Sequence, residues 1–439
     1  MTTNAPAAGT RAYLRLVLFG AVIGAPAALL AASFLALVTT VQRWLWHGVP
    51  AALGQSTPPW YLVLGLPLVG AAIVAAGRKL LPGDGGHKPL AGMSTASLPL
   101  REIPGVAVAA FGTLVFGAVL GPEAPLIALG CAVGAVVARL GRLDAKQAGL
   151  LTTAGAFSAV SALFGGPLVA SFLLVEGGVG MGAALIPALL PGLVAAAVGY
   201  LVFVGLGDWG GLGTTALTVP DLPPYPETTV LDLAVAVAVG VVVAVVIGAA
   251  RRLATAVEVQ SRGRIAVPLF AGALCVGALA LAVRALGGDS QDLLFSGQSA
   301  LPNLDAQTSV WTLVVLLVAK ALAYAVCLGC GFRGGPIFPS IFLGIGVAMV
   351  PAILLGQSPT IAVAVGAAAG MVATTRLLFA PVLFATILVG TGSHDAVPGA
   401  VLAAAAAWLT LNAMGGSPTP NTTPAPAPSP DSAPKREQH

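Results

Sequence analysis

Gly121-Pro122-Glu123-Ala124-Pro125-Leu126-Ile127-Ala128-Leu129-Gly130 is answered, 214 residues later (335 minus 121), by Gly335-Pro336-Ile337-Phe338-Pro339-Ser340-Ile341-Phe342-Leu343-Gly344. Both stretches read GPxxPxIxLG. A second pair keeps the same offset: Pro167 in Phe164-Gly165-Gly166-Pro167-Leu168 and Pro381 in Phe379-Ala380-Pro381-Val382. Two matches in one order at one spacing point to a duplicated folding unit. Each GPxxP element reads as a loop entering a helix. Proline suits a helix start because its missing N–H is not needed there, and glycine lets another backbone approach closely. The remaining free N–H groups, with the positive end of the helix dipole, make an anion site. Ordinary proline-kinked turns in a tight bundle are the alternative, and the repetition favours the anion site.

The rest of the chain sets these elements in a membrane. Hydrophobic residues make up 57% of the 439 and charged residues only 8%, against roughly 25% charged in a soluble domain. With a mean hydropathy of +0.95, lipid must cover much of the surface. Residues 14–38, 230–250 and 265–283 are apolar runs long enough to cross ~30 Å of hydrocarbon. The first lacks an obvious cleavage site and reads as a retained span. A net charge of +4 reflects loop topology in such a chain rather than an anionic partner such as nucleic acid. Cys131, Cys275, Cys327 and Cys330 lie in apolar sequence and read as buried packing, since no second Cys pair or His cluster accompanies the CxxC spacing.

Many apolar segments are short and cut by Gly or Pro: 105–120, 125–137, 151–163, 167–175, 336–350, 361–374 and 381–389. Interrupted helices leave backbone groups unpaired, which hydrocarbon tolerates only where they line a polar cavity or are buried in protein. Helices broken near the midplane are the material of ion-coordinating transport proteins. Arg11 and Arg15 before the first span place the N-terminus in the cytoplasm. No Lys or Arg occurs between Lys146 and Arg251, and the polar stretch inside that gap carries Asp208, Asp221 and Glu227, so it should face outside. Arg251, Arg252, Arg262 and Arg264 return the chain to the cytoplasm. The expected layout is a cytoplasmic segment (1–10), a first membrane repeat (11–205), an extracellular linker (206–229), a second, inverted repeat (230–414) and a disordered Pro-rich tail (415–439). The fold class is therefore all-α and polytopic, with inverted repeats and broken, re-entrant helices.

Glu123 lies inside the first element with apolar sequence on both sides. A carboxylate at membrane depth costs at least a few kcal/mol and is by default a functional feature. At a helix N-terminus it would take the seat an anion wants, so that protonation or displacement opens the path. A buried capping carboxylate is the alternative. The N–H groups around Gly121, Ala124, Gly335, Ile337 and Phe338 are the candidate anion-binding groups, although Pro122 and Pro336 each remove one. Arg333, just before the second element, is a candidate for drawing anions into the pore mouth or an interfacial snorkelling residue. Lys320 and Arg376 read as interfacial or paired, His394-Asp395 as a polar loop, and Trp44, Trp46, Trp60 and Tyr61 as an aromatic belt.

The stretch from Gly121 to Pro125 resembles the gating-glutamate motif, G-[KR]-E-G-P, of the CLC chloride channel and transporter family. Residues 164–176 and 335–339 resemble its downstream segment and its G-x-F-x-P motif, and residues 370–389 its last helix-loop pattern. The resemblance spans roughly 14–414. It implies a CLC-type fold, a homodimer with one pore per subunit, and a pore-gating role for Glu123. It also marks departures. Gly86, in Gly85-Gly86-His87-Lys88-Pro89, stands where the family's first anion-binding motif has a serine, with Ser94 and Thr95 as substitutes. Ile337 replaces the phenylalanine of G-x-F-x-P. No tyrosine follows near 411–416, and the inner carboxylate of proton-exchanging members aligns better with Gly177 than with Glu176, which reads as a structural group ending a helix. The expected activity is passive transport of small, chloride-like anions through the cell membrane. Proton-coupled antiport, or carriage of fluoride or a small organic anion, is the runner-up, and a non-transporting scaffold a third class. No enzyme signature, cofactor motif or metal cluster is legible.

Overall fold

The computed structural model describes residues 7–92, 98–177, 185–213, 217, 219, 222–225, 227–305 and 309–415. Ser94, Thr95, Asp221 and the tail beyond 415 lie outside the described residues. Among them, besides shorter turns, run α1 (Ala7–Arg43), α2 (Trp60–Leu80), α3 (Ile103–Leu114), α4 (Glu123–Leu140), α5 (Ala145–Ser161), α6 (Pro167–Gly177) and α7 (Leu185–Val204). The second half repeats the set as α8 (Val230–Gln260), α9 (Ala266–Ala285), α10 (Val310–Gly329), α11 (Ile337–Leu355), α12 (Pro359–Thr375), α13 (Phe379–Val389) and α14 (Val397–Ala413). The duplication is exact at the helix starts that matter: α4 and α11 begin 214 residues apart (337 minus 123), and so do α5 and α12 (359 minus 145). Eight stretches among the described residues are long and apolar enough to span a bilayer. The protein is a multi-pass integral membrane protein, and the short helices are the broken, re-entrant segments that the Gly and Pro interruptions predict.

Small residues let the broken helices pack backbone against backbone, as membrane helices do without a hydrophobic driving force. A Cβ on Gly130 of α4 would strike the Gly155 carbonyl of α5, and one on Gly344 of α11 would strike the Gly366 carbonyl of α12. Among the helices long enough to span, α11 is the most deeply buried, its most apolar window 72% buried against 39% in α8 or α9, and the shorter α12 is buried along nearly its whole length. The central helices are thus wrapped by protein, while α1, α2, α8, α9 and α14 expose much of their apolar surface.

Two sequence expectations need correction. Trp46 does not join the aromatic belt: it is 1% exposed, its Nε1 donates to the Val115 carbonyl at 3.0 Å, and its ring meets Phe295 edge-on. Trp44, Trp60 and Tyr61 are exposed. Of the two readings of Lys320, interfacial or paired, the interfacial one fails. It is fully buried in α10 and donates to the carbonyls of Asp292, Leu293 and Leu294 at 2.7, 3.0 and 3.3 Å, with its ammonium 4.2 Å from the Phe342 ring centre. Those carbonyls end the four-residue helix Ser290–Leu293. A cation satisfies them there, as helix ends require.

Candidate anion-binding site at the crossing of the two repeats

The two GPxxP elements meet. Gly121 and Gly335 form an antiparallel bridge in which each N–H donates to the other's carbonyl at 2.7 Å. A reciprocal pair of this kind is what an inverted repeat produces where its axis passes between the copies. Pro122 and Pro336 follow as the N-caps of α4 and α11, with φ/ψ of −82/−9 and −90/−8. They stand one position before the first helical turn rather than within it. Both glycines leave room for the Glu123 carboxylate, since a Cβ on either would overlap it and force that side chain to shift.

Glu123 is fully buried. Its Oε1 accepts the Ile337 N–H of the opposite repeat at 2.6 Å, and the Phe338 amide also faces it. Its Oε2 has no hydrogen-bond partner. The carboxylate of one helix start therefore sits on the free amides of the other, where a small anion would be held by the same donors. Phe338 stacks on Phe164 at 5.5 Å, and Phe164 meets Phe384 edge-on at 5.9 Å, so aromatic rings wall this point on the side of α6 and α13.

A cavity of about 60 Å³ reaches the first turn of α4, lined by Gly85, His87, Ala124, Pro125, Arg333 and Gly334 among others. Arg333 is 3% exposed. It is tied rather than free, donating to the Asp84 carbonyl at 3.0 Å and to Asp84 Oδ2 at 2.6 Å, while Arg78 takes the same carboxylate with both its Nε and Nη2. Gly86 does not offer its amide to the cavity, since that N–H is spent on the Gly83 carbonyl at 2.9 Å. The His87 Nε2 is buried without a partner. Burial, then the Arg333 charge, push the His87 pKa below its usual 6.5, opposed in part by a hydrogen bond with the Gly92 backbone.

Burial alone would raise the Asp84 carboxyl, but its hydrogen bond to Arg78 and the charges of Arg333, Arg78 and Lys88 hold it below the ordinary 3.8. Its stabilising contribution is thus present above pH 3.8 and is lost as pH falls through the lower folded value. Asp84→Asn isolates the charge, because Asn tolerates the positive φ of 48° at this position. The half-exposed carboxylate moderates the loss, but Arg333 is left buried beside Arg78. We expect about 2 kcal/mol of destabilisation, read as a lower thermal midpoint in detergent at pH 7 whose gap to wild type narrows as pH falls below 3.8.

Glu176 has a structural position that the sequence suggested only in part. It lies in the last turn of α6 but caps α13 of the other repeat, accepting from the N–H groups of Leu378, Phe379 and Ala380 at 2.8, 2.8 and 2.6 Å. Tyr324, unremarked in the sequence, is fully buried in α10, and its hydroxyl donates to the Pro336 carbonyl at 2.9 Å. A lone tyrosine in an apolar span, eleven residues before Gly335, was the only signal.

The family model for voltage-gated chloride channels matches residues 85–412, which hold both GPxxP elements, Glu123 and Arg333. The chain belongs to this family. As a family member it is an anion-transporting membrane protein rather than an enzyme. Among similar sequences is YfeO of Escherichia coli O1:K1, named as an ion-transport protein, 29% identical over 351 residues that cover 77% of this chain and 79% of that one. Solved structures with the same fold include a slow cyanobacterial Cl−/H+ antiporter at 18% identity and TM-score 0.73, covering 92% of this chain and 96% of that one. A CLC-type fluoride/proton antiporter aligns at 23% identity and TM-score 0.67, covering 90% and 95%.

Proposed function

We propose that this CLC-family chain conducts small, chloride-like anions passively across the cell membrane, as a homodimer with its N-terminus in the cytoplasm, and that Glu123 gates each subunit's path. The observation that carries the reading is the 2.6 Å hydrogen bond from the Ile337 amide to the Glu123 carboxylate where the two repeats cross. An anion entering that seat competes with the carboxylate for the same donors. Gly121, Ala124, Gly335, Ile337 and Phe338 frame the seat, and Arg333 biases the adjoining cavity toward anions. The commitment of Glu176 to three amides of α13 leaves it poorly suited to pass protons inward, which favours passive conduction.

Proton-coupled antiport is the second reading. It is favoured by the names of the solved neighbours and by the bare, buried Oε2 of Glu123, which suits a carboxyl that takes up a proton. One assay separates them: chloride, fluoride and nitrate efflux from liposomes holding the wild-type protein, with internal pH recorded. Passive conduction predicts anion efflux with no proton movement. Uphill proton movement would replace it with antiport, and no flux of any of the three anions would refute both.

A further inference from the structure

Residues 115–121, the loop from α3 into Glu123, are buried throughout yet lie outside any helix. Buried backbone groups must find partners, and here alternate residues are tied to other parts of the fold. The Val115 carbonyl accepts the Trp46 indole N–H at 3.0 Å. The Gly117 carbonyl accepts the Phe295 N–H at 3.4 Å. The Val119 N–H donates to Cys327 Sγ at 3.2 Å, and Gly121 pairs with Gly335. Two of these four ties are side chains that reach the loop from far away in the sequence.

The groups that hold the loop are themselves specially placed. Trp46 lies in a π-helical turn, Trp44–Gly48, at the end of α1, and such wide turns gather at functional positions. The turn sends Trp46 inward while Trp44 stays exposed. Phe295 has a φ of 61°, left-handed backbone that bulky residues avoid. Lys320 secures the turn before it by donating to the carbonyls of Asp292, Leu293 and Leu294. Trp46 and Leu294 close on the loop so tightly that a Cβ on Gly117 would stand 3.2 Å from each. Lys320, Tyr324 and Cys327 are at i, i+4 and i+7 of α10, hence on one face. From that face Tyr324 donates to the Pro336 carbonyl and fixes the peptide whose N–H, on Ile337, faces Glu123. The amide side of the gate is therefore held apart from the carboxylate side. Loosening residues 115–119 frees the carboxylate and leaves the donors of the seat in place.

We propose that Trp46, Phe295 and Cys327 are positioning residues of the gate: by tying residues 115–119 they set how firmly Glu123 holds the Ile337 amide, and so how readily an anion displaces it. The inference rests on the gating reading of Glu123 and adds the residues that tune that gate from outside it. None of the three touches the Glu123 seat; they act on the carboxylate through the loop that carries it.

The test is chloride efflux, per folded protein, from liposomes holding the purified full chain. Wild type, Trp46→Phe, Cys327→Ala and Glu123→Ala are compared with the two doubles that combine each loop variant with Glu123→Ala. Trp46→Phe keeps an aromatic ring and removes the indole donor, which should speed efflux about fivefold, the worth of one neutral hydrogen bond. Cys327→Ala removes a weaker sulfur acceptor and should speed it about twofold. In the Glu123→Ala background neither change should alter efflux, because the group they position is gone. A merely structural role would give the same fold-change with and without Glu123. That result, or unchanged or slower efflux in Trp46→Phe, would overturn the inference; if Trp46→Phe fails to fold, the Cys327→Ala pair decides alone. Efflux that Glu123→Ala speeds and the loop variants do not refutes the positioning residues only. A Glu123→Ala protein no faster than wild type refutes the gate, and absent flux of chloride, fluoride and nitrate in wild type refutes the transport reading, each taking this inference with it.

Discussion

Glu123→Ala is expected to speed chloride efflux from liposomes by at least about tenfold and to abolish any proton movement that accompanies it. The magnitude follows from what the side chain does. For an anion to reach the Ile337 amide, the carboxylate must give up a charge-assisted hydrogen bond of 2.6 Å. Hydrogen bonds to charged groups are worth roughly 1.5–3 kcal/mol, and each 1.4 kcal/mol is a factor of ten. Alanine removes the competitor and the one ionisable group at the crossing while leaving the donors in place. Glu123→Gln is the informative partner: it keeps the bulk and one acceptor oxygen but loses the charge. Its efflux should fall between wild type and alanine, with proton movement absent. Unchanged or slower efflux from a well-folded Glu123→Ala protein would mean that the carboxylate is a structural cap.

The second large effect is on stability, at Glu176. The carboxylate uses Oε1 for the Leu378 and Phe379 amides and Oε2 for the Ala380 amide. These are the first orphan donors of α13, and hydrocarbon offers them no water. Glu176→Gln keeps one oxygen but turns an NH₂ toward the Ala380 N–H, donor against donor, and removes the charge at the positive helix end. We expect about 3 kcal/mol of destabilisation, seen as a lower thermal midpoint and faster proteolysis near 376–380. Because Phe384 of α13 packs on Phe164, which stacks on Phe338, the loss should also slow anion flux without altering its ion preference. A wild-type midpoint in Glu176→Gln would show that the three amides find other partners.

How much of this was legible in the sequence depends on whether a feature is local. The two GPxxP elements announce themselves, because proline and glycine at a helix start carry their reason with them, and the 214-residue offset recurs in the helix starts. The short helices also follow from Gly and Pro interruptions; α3, for example, stops at Leu114 and leaves 115–122 as the loop into Glu123. What composition cannot show is pairing across the fold. The carboxylate of Glu176 is separated by about two hundred residues from the amides it caps, and Lys320 reads as interfacial or paired, with no partner to name, until the turn at 290–294 is folded against it.

The claim at the centre is that Glu123 occupies the seat of a transported anion. Crystals of Glu123→Ala grown in bromide test it most directly, through the anomalous signal of the ion. The account predicts a bromide peak within hydrogen-bond distance of the Ile337 amide, on the spot vacated by the carboxylate, and none there in wild type. A vacated spot that stays free of bromide, in a variant whose two repeats still cross at Gly121 and Gly335, would contradict it.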